Sequence, residues 1–294
     1  MMRALLLTLL AGSLWTCTDV IELETDFTDP QLVVDAWLTD EAGPQTIRLS
    51  LSQDYYANRL PTPVENAEVV VCRTAPDTAC FVFAPRDSGR YVWTPAPGER
   101  IGEVGQEFTL GIRHGDENYV GRTSLYRVPP IDSISIQFEE ERLGLDEGLY
   151  AQLYARDFAG VGDAYLIRST INDTLLNRPS ELNLAFDATF DAGSGTDGIA
   201  FIFPIRFSIN KTDDDGAFVP LIAGDKVEVE LWSLSPEAFY FLGVARDQLQ
   251  NGDNGIFQIP VANSPGNVFN VDTQESALGI FNIAAVSRAA RVVE

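Results

Sequence analysis

The sequence predicts an all-β fold, mostly antiparallel, arranged as two β-sandwich domains. Three observations carry that expectation. Short runs alternate apolar and polar residues: 46–52 sets Ile47, Leu49 and Leu51 against Arg48, Ser50 and Ser52, the period of two that half-buries a strand. Turn residues interrupt such runs every roughly eight to twelve positions, the spacing of an antiparallel sandwich. A single stretch has helical spacing instead. In 235–251, Ala238, Phe241, Leu242, Ala245 and Leu249 recur at intervals of three and four, so they form one apolar stripe that needs a layer to cover.

The elements follow in order. Residues 1–16 read as a signal peptide. Met1, Met2 and Arg3 give a positive start, and the apolar run 4–14 is too short to span a bilayer. Leu14-Trp15-Thr16-Cys17 has the leucine and cysteine of a bacterial lipobox, with Trp15 and Thr16 where small residues are usual. Lipidation of Cys17 is expected; its rival is ordinary cleavage after 11–13. Residues 17–29 carry Asp19, Glu22, Glu24, Asp26 and Asp29 and read as an acidic tether.

Strands are expected at 31–38, 46–52, 67–72, 80–84, 90–94, 107–113 and 119–124. Together they make an immunoglobulin- or fibronectin-like sandwich over 30–128. Cys72 and Cys80 flank the turn residues Pro76 and Asp77, which favours a cross-hairpin disulfide in an exported protein. A redox or metal pair is the sharper reading, but the spacing is not Cys-x-x-Cys. Val128-Pro129-Pro130 reads as a stiff linker, because proline cannot donate to a ladder. A larger second sandwich, 129–294, is then expected. Its strands lie at 133–139, 149–157, 164–171 and 226–233, with closing strands at 277–288 and 290–293. The apolar run 199–209 reads as a strand that Pro204 bulges or places at an edge. The helix at about 235–251 has Ser235 as N-cap, Pro236 at the first helical position, Glu237 at the positive end and Gly252 as a stop.

Charge limits function. A formal charge of −23 repels phosphate backbones, so nucleic acid is excluded as a partner. It also repels anionic lipid, so membrane attachment needs an anchor. With one histidine, His114, no imidazole zinc triad can be built. The 43 acidic residues guarantee that some carboxylate pair suggests itself, and no spacing selects one for glycoside hydrolysis. Asp213, Asp214 and Asp215 before Gly216 offer oxygen ligands for calcium, as do Asp187, Asp191 and Asp197. Neither set has EF-hand spacing, and Asp-Gly turns are common for conformational reasons alone. No other cofactor is expected.

Binding has the most support. Tyr55, Tyr56, Tyr91, Trp93, Phe239 and Tyr240 are aromatic candidates near loops or off the helix stripe. Phe239 and Tyr240 lead the set, and Asn263 and Asn267 in the Pro/Asn/Gly loop 259–267 join them. Core packing is the alternative for each aromatic residue.

Four segments carry a resemblance. They are QLVVDAWLTDEAGPQTIRLSLSQDY at 31–55, VPPIDSI at 128–134, GDKVEVELWSLSPEAFYFLGVARDQLQNGDNGIFQIPVANSPGNV at 224–268 and ALGIF at 277–281. With the exported cysteine, they make the chain similar to the Bacteroidetes lipoprotein family known as domain of unknown function 4249. The resemblance implies an exported, lipid-anchored outer-membrane or cell-surface protein with no assigned activity. Such proteins are often encoded beside a TonB-dependent receptor. The expected function is therefore a non-enzymatic accessory or ligand-capturing partner of such a receptor. A glycan or peptide hydrolase using carboxylates of the second domain is the competitor, and a structural or adhesion component is a third reading.

Overall fold

A computed structural model describes residues 29–53, 57, 59–74, 77–142, 144–190, 195, 197–251 and 263–294. The signal peptide, Cys17, most of the tether, Tyr55, Tyr56, Asp191 and loop positions 259–262 lie outside these residues. The first seven strands are β1 (Leu32–Thr39), β2 (Gln45–Leu51), β3 (Ala67–Arg73), β4 (Ala79–Pro85), β5 (Arg90–Trp93), β6 (Glu107–His114) and β7 (Glu117–Ser124). Then come β8 (Ile131–Glu139), β9 (Gly148–Ala155), β10 (Ala164–Ile171), β11 (Thr174–Leu175) and β12 (Asn183–Phe186). The chain continues through helix α1 (Phe203–Phe207), β13 (Lys226–Leu234), helix α2 (Pro236–Asn251), β14 (Val268–Asn270), β15 (Leu278–Ala284) and β16 (Val286–Val292). The fold is all-β, as expected.

The first seven strands alternate as the sequence requires. Leu32, Val34, Ala36 and Leu38 of β1 face inward, as do Val69 and Val71 of β3 and Phe108, Leu110 and Ile112 of β6. They pair in one continuous sheet of nine strands, β14-β7-β6-β3-β4-β5-β2-β1-β15. The order adds two strands from near the other end of the chain. β15 runs parallel to β1 from Val33↔Leu278 to Thr39↔Ala284, and β14 pairs with β7. Val268, Ala277, Phe281, Ile283 and Ala285 accordingly belong to the first core. A linear boundary at 128/129 assigns β14 and β15 to the second unit; the register assigns both to the first. Isolated strands carry no partner information, so an edge left open by β1 is invisible until its mate is found.

The sheet curls until β7 and β15 come within reach of one side chain. Asn267 donates its amide to the carbonyls of Arg122 on β7, at 3.0 Å, and Phe281 on β15, at 2.8 Å. Its side-chain oxygen accepts from the Phe281 N–H at 2.9 Å. Backbones pack tightly along this seam. A Cβ on Gly279 (φ +88°) would stand 2.0 Å from the Val34 carbonyl oxygen, and one on Gly266 would stand 2.2 Å from the Gly279 oxygen.

The second body packs β11-β10-β13-β16, with β12 beside β10, against the β8–β9 hairpin. Tyr165, Ile167, Val227, Val229 and Leu231 meet Ile134, Ala151 and Leu153. The run 199–209 is not a strand. Pro204 lies in the first turn of α1, which buries Ile205 and Phe207; proline is unsuited to a central ladder but fits the first turn of a helix.

The chain passes between the two bodies more than once, and the passage from β15 to β16 is the shortest. Ala285 alone separates β15 in the first sheet from β16 in the second. Its N–H donates to Ser233 Oγ at 2.8 Å, and its carbonyl accepts from the Ser233 N–H at 3.0 Å. Asn282, wholly buried, accepts from the Ser235 N–H at 3.0 Å. Arg127, in the connection before β8, holds both oxygens of Asp163 at 2.6–3.0 Å. Helix α2 covers the joint: Ala238, Phe239, Phe241 and Leu242 pack with Trp37 and Ile280 of the first sheet and Ala164, Leu184 and Leu234 of the second.

Candidate functional site

Among the described residues, two places that bring chemically capable groups together stand out. The first is a carboxylate cluster at the joint. Asp157 follows β9, Asp187 follows β12, and Asp197 lies in the glycine-containing loop between β12 and α1. One oxygen from each lies within 4.8 Å of the others. The turns fold this way because the carboxylates satisfy local N–H groups. Asp187, in the left-handed region at φ +49°, accepts from the N–H groups of Gly162, at 2.8 Å, and Asp163, at 3.0 Å. Asp197 accepts from the Gly160 N–H at 2.8 Å. Asp157 accepts from the Tyr165 hydroxyl at 2.7 Å and the Gly198 N–H at 3.2 Å.

Burial pushes the Asp157 carboxyl above its usual value, helped by the Asp163 and Asp187 charges and opposed by those two hydrogen bonds. Burial also raises the Tyr165 hydroxyl, with the Asp157 carboxylate adding to the shift. These oxygens are the kind of donor a hard cation such as calcium takes.

The second place is a pair of adjoining clefts between the outer face of β6, β7 and β14 and the first turn of α2. The larger, about 670 Å³, is lined by Val120, Phe269, Val271 and Asn267 among others. The smaller, about 490 Å³, is lined by Thr109, Ser124, Glu107 and Tyr126 among others. Arg122 and Glu237 line both, so the two clefts meet there.

The sequence-derived candidates distribute unevenly over these places. Asp187 and Asp197 do converge, with Asp157 as their companion. Asp157 was hidden in the sequence, since it lies three strands before Asp187; the run Asp157-Phe-Ala-Gly-Val-Gly-Asp163 was its only signal. Asp213 and Asp214 are otherwise engaged. Asp213 accepts from the N–H groups of Asp215, at 3.0 Å, and Ala217, at 2.9 Å, while Asp214 pairs with Arg178 at 2.8 Å. Phe239 turns into the joint, edge-on to Phe186 with ring centroids 5.5 Å apart. Tyr240, 61% exposed, points to solvent, and Asn263 is exposed. Asn267 reaches the larger cleft, but its amide is committed to the seam.

Tyr91 is wholly buried. Its hydroxyl donates to the Val64 carbonyl at 2.8 Å and accepts from the Ala67 N–H at 2.9 Å. Trp93 packs on Phe81 at 4.6 Å. For both aromatics, packing prevails. His114 ends β6 opposite Glu117. Cys72 and Cys80 are disulfide-bonded as directly opposed residues of β3 and β4, with Cα atoms 4.1 Å apart. Arg122, Glu107 and Glu237 escaped the sequence reading, because strand alternation says which face a charge is on and not what stands opposite.

Residues 18–290 match the family described as Domain of unknown function (DUF4249). No curated protein matches the chain.

Proposed function

The chain belongs to the DUF4249 family, and on that premise we propose that it is an exported, lipid-anchored protein of the outer membrane that captures a ligand for, or docks on, a TonB-dependent receptor. The observation that carries this reading is where the family match starts. It begins at residue 18, one residue after Cys17, which would be the first residue of a chain cleaved and lipidated there. The Cys72–Cys80 disulfide supports an oxidising compartment. Among the described residues no helix is long and apolar enough to cross a membrane, so attachment in this reading rests on the lipid.

The hydrolase alternative would draw on Asp157, Asp187 and Asp197. Against it, both oxygens of Asp157 already serve Tyr165 and Gly198, and the residue is only 3% exposed. The test is a mild-detergent pull-down from native membranes. Co-purification of a TonB-dependent receptor in equal amount is expected; recovery of the protein alone would sink the partnership. Cys17→Ser should move the protein from the membrane to the soluble fraction, and its retention in membranes would refute the anchor.

A further inference from the structure

The outer face of the first sheet carries an unusual row. Val82, Val70, Gly111, Val120 and Phe269 are direct cross-strand partners on β4, β3, β6, β7 and β14. Val82 is 71% exposed and Phe269 44%. At the usual spacing between strands the row runs about 19 Å. The solvent side of an antiparallel sheet is ordinarily polar, and this chain carries a charge of −23; an apolar row here calls for an occupant. It ends in the larger cleft, where Val271 extends the apolar surface.

Beside this surface stand charges without partners. Among the described residues, the side chains of Arg122, Glu107 and Glu237 make no ion pair with one another or with any other group. Burial raises the Tyr126 hydroxyl, and the charges of Glu237 and Glu107 raise it further. Glu107, Glu237 and Tyr126 line the smaller cleft together. Two carboxylates beside an aromatic face suit an ammonium group. Arg122, where the clefts meet, offers donors to a carbonyl or carboxylate oxygen. Ammonium, carbonyl and apolar side chain, in that order, describe the amino end of a peptide. An amino sugar supplies the ammonium and lacks the apolar group.

We propose that these joined clefts bind the free amino end of a short peptide with an apolar first residue: the ammonium at Glu107 and Glu237, the first carbonyl at Arg122, and the side chain over Val120 and Phe269. The proposal deepens the ligand-capturing part of the function above and rests on it.

The test titrates the detergent-solubilised full chain, labelled with ¹⁵N, with Leu-Gly-Gly. Saturable shifts of the Val120, Arg122, Phe269 and Val271 amides are expected. Acetylating the peptide's amino group should weaken binding about tenfold or more, and so should the Glu107→Gln/Glu237→Gln double variant, with the amide dispersion of the folded chain retained. Equal binding of acetyl-Leu-Gly-Gly, equal binding of glucosamine, or no shift of these amides at millimolar peptide would overturn the assignment. The outcomes separate from those of the pull-down. A recovered receptor with no peptide binding defeats the ligand alone, and peptide binding with no receptor defeats the partnership alone.

Discussion

Asn267, in the Pro/Asn/Gly stretch, looks like an adaptable loop residue, and its neighbour Asn263 is indeed exposed. Four residues on, the same side-chain type is 7% exposed and makes three hydrogen bonds to the backbones of two strands. Asn210 does the same at Ala151, bonding its N–H and its carbonyl at 2.8 Å each. Replacing Asn267 by Ala leaves three backbone groups unpaired at the seam and should cost about 2–4 kcal/mol, measured by urea denaturation. A loss below about 0.5 kcal/mol would mean that water replaces the amide fully.

Asp157 makes a prediction of opposite character. Its folded pKa lies above its usual 3.8, so the folded state binds its proton more tightly than the unfolded chain does. The stability it contributes is fully present below 3.8 and is lost as pH rises through the folded value. Wild type minus Asp157→Asn should therefore give a larger Tm difference at pH 4.5 than at pH 7.5. The Asp163, Asp187 and Asp197 carboxylates, the Tyr165 hydroxyl and the Arg127 guanidinium surround the group. An equal difference at both pH values would show that Asp157 titrates as it does in the unfolded chain.

Among the elements, those with local causes were legible in the sequence. The helix follows its punctuation: Ser235 Oγ accepts from the Ala238 N–H at 3.1 Å. Ser235→Ala should cost about 1 kcal/mol, read as a lower denaturation midpoint with unchanged slope. The stripe was legible only in its first half. Ala238, Phe241 and Leu242 pack as expected, but Leu249 is 66% exposed, because the helix runs past the joint it covers. The β3–β4 hairpin was read correctly down to its disulfide. Opening it with Cys72→Ser/Cys80→Ser should cost about 2–3 kcal/mol, seen as a Tm decrease that reductant reproduces in the wild type. What could not be read was partnership at long range: β15 beside β1, Asp157 beside Asp187, Glu107 near Glu237. Alternation fixes a face and leaves the neighbour open. Proline misled in 199–209 because an apolar run can be strand or buried helix, and periodicity alone does not arbitrate.

For the whole molecule, the two bodies are interleaved in sequence. A fragment ending at residue 128 lacks β14, β15 and the Asn267 staple, so its core stays open along one edge. It should show a collapsed or aggregated state with poor amide dispersion, whereas the full chain melts cooperatively. A well-dispersed NMR spectrum of the fragment would contradict this account. The ion pairs across the joint matter less for stability. Arg288 reaches Glu41 of the first body at 2.5 Å and Glu230 of the second at 2.7 Å, but the arginine is half exposed, and such pairs are each worth about 0–1 kcal/mol.

The parallel pairing of β1 with β15 also sets a schedule for biogenesis. β1 leaves the ribosome long before its mate, with β2 to β14 made between them. Early closure is ruled out by topology, and contacts this distant in sequence form slowly. Under the export proposed above, that delay would be a gain, since a chain threaded through an export channel must stay unfolded. The cost falls on chains that stall before Leu278: they present a bare edge along β1, and quality-control proteases and holding chaperones can recognise such an edge.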